Sequence, residues 1–212
     1  MGGAVCPGEL PLNARYTPRS DEVDLPVPER EMKAPLRLLA LSGSLRQRSY
    51  NTAALEALAV LVPARVEVEV FRGLGELPLF NPDLEGQHVP AFERLRAAVG
   101  RADGLMIASP EYAHGITGVL KNALDWLVSG EEFIHQPVML INTSPRATHA
   151  LAALREVVTT MSGVVVEEAR VAIPLLGSGL DRDGILADPA ITAALREGIV
   201  HFTEAILCLQ SE

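Results

Sequence analysis

The stretch Leu36 to Asn51 reads LRLLALSGSLRQRSYN. Its first half is short and apolar. Leu36, Leu38, Leu39, Ala40 and Leu41 suit a strand buried on both faces, as the strands of a parallel sheet are. The run stops at Ser42-Gly43-Ser44. Asn51-Thr52 then stands ready to cap a periodic apolar run from Ala53 to Leu61. The order is strand, polar loop, helix. Ser42, Ser44, Arg46, Ser49 and Asn51 furnish the loop with hydrogen-bonding side chains. Hydroxyls, a guanidinium and the N–H groups of a helix start can meet there, and a phosphate suits such a place. The P-loop pattern GxxxxGK[ST] and the dinucleotide pattern GxGxxG are both missing, which leaves a mononucleotide phosphate. A plain strand-to-helix turn also carries a cap and small residues, so the loop alone leaves that reading open.

The same alternation continues downstream. Arg65 to Phe71 sets Val66, Val68 and Val70 against Glu67 and Glu69, the pattern of a half-exposed edge strand. Gly73 to Pro90 is a long connection whose Pro and Gly argue against regular structure, and whose length fits a rim over a ligand. Ala91 to Arg101 reads as a helix. Asp103 to Ala108 reads as a third strand, running into the polar loop Ser109-Pro110-Glu111-Tyr112-Ala113-His114-Gly115. Ile116, Val119, Leu120, Ala123, Leu124 and Leu127 then recur at helical spacing to about Val128. Pro137 to Asn142 is a fourth strand, opening into Thr143-Ser144-Pro145-Arg146. A helix from Thr148 to Met161 and a fifth strand from Val164 to Ile173 follow. Pro174 to Asp188 reads as irregular. Asp188-Pro189 starts a last helix to about Leu209, with Asp188 as cap and Pro189 in the first position.

Strand and helix alternate without hairpin signals, which predicts a doubly wound five-stranded parallel sheet with helices on both faces. In such sheets ligands bind beyond the carboxyl ends of the strands, where the strand order reverses. With order 2-1-3-4-5, the polar loops after strands one, three and four lie side by side at that point.

The composition narrows the partners. Net charge is −9, which argues against a nucleic-acid surface or anionic lipid. An anionic cofactor then needs local positive potential, and Arg46 and Arg48 are placed to give it. No apolar run is long enough for a membrane span, and the N-terminus lacks a basic-then-apolar leader. Cys6 and Cys208 show no paired spacing, imply no disulfide framework and fit a reducing cytoplasm. The five histidines show no metal-site spacing, so no metal is proposed.

Residues 1–32 read differently from residues 33–212, which form the expected domain. The tail holds Pro7, Pro11, Pro18, Pro26 and Pro28, and its acidic residues outnumber Arg15, Arg19 and Arg30. No periodicity appears. Three readings stay open: a disordered tail, an arm lying on a partner subunit, or translation beginning at Met32.

The segments Ser42-Gly43-Ser44-Leu45-Arg46 with Ser49 and Asn51, Ser109-Pro110-Glu111-Tyr112, and Gly118-Val119-Leu120-Lys121-Asn122-Ala123-Leu124-Asp125-Trp126 resemble the NADPH-dependent FMN reductase family. The likeness runs from about Lys33 to the C-terminus. It implies a flavodoxin-like fold and an oxidoreductase passing hydride from NADPH through bound FMN to quinones, flavins or other small acceptors. It also implies that flavin N5 carries the chemistry, with no catalytic side chain. Ser44, Arg46, Ser49 and Asn51 would surround the FMN phosphate. Pro110, Glu111, Tyr112 and Ala113 would follow the ring and ribityl chain, and Ser144 would lie near the other ring edge. A homodimer or homotetramer, with the helix of the Leu120–Trp126 motif near the contact, is also implied. A non-enzymatic electron carrier of flavodoxin type is the alternative.

The chain departs from the resemblance in three places. Many relatives carry Asn at the position of Ala113, Pro at that of Thr117, and a Gly-rich third loop where this chain has Ser144-Pro145-Arg146. Arg146 would thereby come within reach of an anionic group on NADPH. Tyr112, His114, Lys121, Asn122, Asp125 and Trp126 each have a plain reading as well: packing, a solvated face or a subunit contact.

Overall fold

The computed structural model describes residues 34–211. The tail, and Cys6 within it, lies outside the described residues. Strand β1 (Leu36–Ser42) is flanked by β2 (Val66–Phe71) and β3 (Gly104–Ala108), and β3 pairs with β4 (Pro137–Asn142). All ladders are parallel, and the order is β2-β1-β3-β4-β5. The sequence expectation of a flavodoxin-like, doubly wound sheet therefore holds.

The outermost position differs from expectation. Val164 to Ile173 is not one strand. It forms β5 (Val164–Val165), a 3-10 turn (Glu167–Ala169) and β6 (Val171–Ala172), and both short strands pair with β4. The break falls on Glu167-Glu168. These exposed carboxylates turn outward, and Glu167 pairs with Arg155, while Val166 and Ala169 stay buried.

Helices α1 (Tyr50–Leu61), α5 (Arg182–Ala187) and α6 (Pro189–Leu209) pack on one face of the sheet, and α2 (Pro90–Arg101), α3 (Gly118–Leu127) and α4 (Thr148–Thr160) on the other. Alternate residues of β1 serve the two cores: Leu36, Leu38 and Ala40 face α1 and α6, while Leu39 and Leu41 face α2 and α3. Gly198 lets α6 approach β6, because a Cβ there would lie 2.3 Å from Val171 Cγ2. Asp188 caps α6 as expected, accepting from Ala190 N and Ile191 N.

Two connections are more ordered than their composition predicts. The segment 73–90 contains 3-10 turns at Leu74–Glu76 and Pro82–Leu84, and the segment 174–188 contains α5. The first is strapped down by α3. Asn122 Oδ1 accepts from Phe80 N at 2.7 Å, and Asn122 Nδ2 and Trp126 Nε1 both donate to the Pro78 carbonyl. The Trp126 ring is buried against Phe80 and Phe92. Asn122 and Trp126 thus act inside the protomer, while Lys121 and Asp125 form an ion pair one helical turn apart.

Candidate functional site

A cleft of about 1210 Å³ opens beyond the carboxyl ends of β1, β3 and β4. The loop after β1 supplies Ser44, Arg46 and Arg48; the loop after β3 supplies Pro110, Glu111 and Tyr112; the loop after β4 supplies Ser144 and Arg146. Ser49 and Asn51 also line it. Ala113 is not among the lining residues.

Hydrogen bonds cross-link these loops. The hydroxyl of Thr117, the N-cap of α3, donates to the Gly43 carbonyl at 2.7 Å and accepts from Leu120 N. Gly43 must be glycine for this approach, since a Cβ there would sit 2.5 Å from Ser109 Oγ. Thr143 Oγ1 donates to Asn51 Oδ1 at 3.0 Å. Glu111 Oε2 accepts from Ala150 N at 2.9 Å. That bond caps α4, whose own N-cap residue Ala147 has no side-chain acceptor.

The helix start differs from the sequence expectation. Ser49, not Asn51, caps α1, accepting from Thr52 N. Asn51 lies inside the first turn and is buried. Its side-chain carbonyl is taken by Thr143, which leaves its amide group for the cleft. Ser44 is half-buried, with its Oγ accepting from Arg46 N at 3.4 Å.

The loop after β3 ends in a tight turn. Tyr112 and Gly115 exchange two backbone hydrogen bonds, at 3.1 and 3.0 Å. Between them Ala113 (φ 50) and His114 (φ 61) both have left-handed backbone. The His114 ring stacks on His149 of α4, with centroids 4.3 Å apart. Tyr112 is 55% exposed, so one face of it is open to a ligand.

Charge divides the wall into two parts. Arg72 pairs with Glu56, and Arg182 with Asp183. The hydrogen bond and the charge of Asp183 hold the Arg182 guanidinium above its ordinary value. Arg46, Arg48 and Arg146 have no ion pair among the described residues.

Sequence reasoning missed the segment from Leu176 to Asp183, which forms a further wall. Gly179 N donates to the Tyr50 hydroxyl at 3.0 Å and ties this wall to α1. The available signal was its glycine content directly after the last strand, at the same end of the sheet as the other loops.

A doubly wound parallel sheet with this cleft at its topological switch point defines a flavodoxin-like protein. Solved structures agree on the fold. The flavoenzyme NAD(P)H:(acceptor) oxidoreductase FerB from Paracoccus denitrificans superposes with a TM-score of 0.63 at 23% identity, covering 80% of this chain and 98% of that one. An apo NADH:FMN oxidoreductase superposes at 0.62 with 24% identity, covering 84% and 91%.

Residues 36–176 match the family described as NADPH-dependent FMN reductase, and the chain belongs to that family. It is 33% identical to an NAD(P)H-dependent FMN reductase of Pseudomonas aeruginosa over 163 residues, 74% of this chain and 88% of that protein. It is also 33% identical to a quinone reductase of Escherichia coli over 117 residues, 53% of this chain and 62% of that one. The chain is thus an oxidoreductase with FMN as cofactor and NADPH as reductant.

The residues fit that cofactor. A dianionic phosphate finds uncompensated guanidinium groups and hydroxyls on the loop after β1. A flat ring system finds a long cleft beside it. Among the described residues, no helix is long and apolar enough to cross a membrane.

Proposed function

We propose that this protein uses NAD(P)H to reduce quinones and other small acceptors through an FMN seated in the cleft over β1, β3 and β4. The reading is supported most by one observation: Ser44, Arg46 and Arg48 share a single cleft with Pro110–Tyr112 and Thr143–Ser144. The quinone reductase among its relatives supports the acceptor class.

FMN, when bound, supplies the two-electron relay between a nicotinamide and an acceptor. The protein's own part is to bind, orient and shield. Arg46, with Ser44, Ser49 and the amide of Asn51, holds the phosphate. The walls at Pro110–Tyr112 and Ser144 hold the ring by contact, while Ala113, outside the cleft lining, shapes the turn that follows Tyr112.

Residues 33–212 form the flavin domain in this reading, and the protein works in the cytoplasm as a homodimer or homotetramer. Leu79 supports association. It is 84% exposed at the tip of the segment that Asn122 and Trp126 fix to α3. Sedimentation gives the oligomeric state directly.

The central test is optical. The purified protein is expected to be yellow, to bleach with NADPH without oxygen, and to regain colour with a quinone. A yellow protein that NADPH leaves unbleached would be a flavodoxin-type carrier. A protein colourless even after FMN is added would end the flavin reading.

A further inference from the structure

We propose that Arg146 binds a phosphate group of the incoming pyridine dinucleotide. The inference rests on the flavin reading above and deepens it.

The chain carries a net charge of −9, yet three arginines line one cleft without an ion pair among the described residues. Arg46 and Arg48 stand two residues apart on one loop, beside Ser44 and Ser49. That group suffices for one phosphate dianion, and FMN has one phosphate. Arg146 is on a different wall, in the loop after β4. A third uncompensated cation there calls for a second anion.

The loop holds Arg146 in a fixed place. Ala147 N donates to the Ser144 carbonyl at 3.0 Å, closing a four-residue turn with Pro145 and Arg146 in its middle. Pro145 restricts the backbone at the second position of that turn. Ser144 N is bonded to Asn142 Oδ1 at 3.0 Å, and Thr143 to Asn51. The base of the Arg146 side chain is therefore tied to the phosphate loop across the cleft. The Glu111 carboxylate on the neighbouring wall makes no ion pair with it and instead accepts from Ala150 N at the positive end of α4.

Space is consistent with a second ligand. Pockets for one small ligand run from about 300 to 1,000 Å³, whereas this cleft reaches about 1210 Å³. A pyridine dinucleotide brings a pyrophosphate, and NADPH brings a 2′-phosphate as well. A planar guanidinium accepts either through paired N–H donors.

The test is steady-state kinetics on the FMN-loaded protein and its Arg146→Ala variant. The donors are NADPH, NADH and the phosphate-free 1-benzyl-1,4-dihydronicotinamide. In the variant, KM for NADPH is expected to rise about tenfold, the scale of one charge-assisted hydrogen bond, with kcat nearly unchanged. KM for the benzyl donor and affinity for FMN stay the same, and Arg146→Lys recovers part of the loss. A rise for NADPH alone assigns the 2′-phosphate; a rise for NADPH and NADH together assigns the pyrophosphate. Unchanged KM for both dinucleotides, or an equal rise with the benzyl donor, overturns the assignment alone. Parent protein that none of the donors reduces overturns the flavin reading and this assignment with it.

Discussion

Thr143 donates its hydroxyl hydrogen to the side-chain carbonyl of Asn51 at 3.0 Å, and both residues are buried. The bond fixes the loop after β4 to the first turn of α1, and it decides which end of Asn51 faces the cleft. Thr143→Val removes the donor and strands a buried carbonyl, at a cost of about 1–3 kcal/mol in urea unfolding. Flavin affinity falls as well, because Asn51 loses its orientation. Thr143→Ser keeps the donor and is expected to keep both properties near the parent values.

Arg46→Ala is expected to weaken FMN binding by about 1.5–3 kcal/mol, the scale of a hydrogen bond to a charged group. Fold stability changes little, since Arg46 is exposed and makes no ion pair among the described residues. Fluorescence titration with FMN reads the affinity. An unchanged dissociation constant would move the phosphate elsewhere in the cleft.

Glu111 works as the missing cap of α4. Glu111→Ala is expected to cost about 0.5–2 kcal/mol, as loss of a helix cap does. Glu111→Gln retains an acceptor oxygen for Ala150 N and should lose less. Equal losses in the two variants would show that the charge, not the acceptor, matters at this helix end.

Ala113 has a φ of 50°, a conformation that costs an L-residue with a Cβ about 1–2 kcal/mol. Asn tolerates it better than Ala. Ala113→Asn is therefore expected to stabilise the protein by about 0.5–1 kcal/mol, read as a raised unfolding midpoint.

Asn122 holds two backbone groups of the segment 73–90. Asn122→Ala removes the partner of Phe80 N, while the Pro78 carbonyl keeps Trp126 Nε1, and is expected to cost about 1–3 kcal/mol. The segment should also become the first site of limited proteolysis. Asn122→Asp keeps the acceptor for Phe80 N, so it should nick more slowly than Asn122→Ala.

Much of the fold was readable in the residues because buried parallel strands are apolar runs of limited length. Pro137–Asn142 and the Asp188-Pro189 helix start needed only local chemistry. The fifth strand was misread for a physical reason. Val164 to Ile173 has strand-like residues at both ends, and what breaks it is the turn Glu167–Ala169, whose Glu168 carbonyl meets His201 Nδ1 of α6, a long-range matter. The cap of α1 was misread likewise: Asn51 is a good local cap, but Thr143 claims it from 92 positions away. Glu111 was legible as a polar loop residue, whereas its partner Ala150 was not, since a backbone N–H leaves no mark in a sequence. The wall from Leu176 to Asp183 had only its glycines to announce it.

The sheet's outer border beside β4 is made of two dipeptide ladders parted by the turn at Glu167–Ala169. A long, even row of free amides would invite a strand from another copy to continue the sheet. Interrupted after two residues, this border gives an arriving strand no footing. At the opposite border β2 presents Glu67 and Glu69, exposed and paired with Arg37 and Arg101, and charged side chains of this kind blunt a sheet edge. Lateral growth into fibres is thereby discouraged at both margins, and copies of the chain are left to meet through helices and connecting segments.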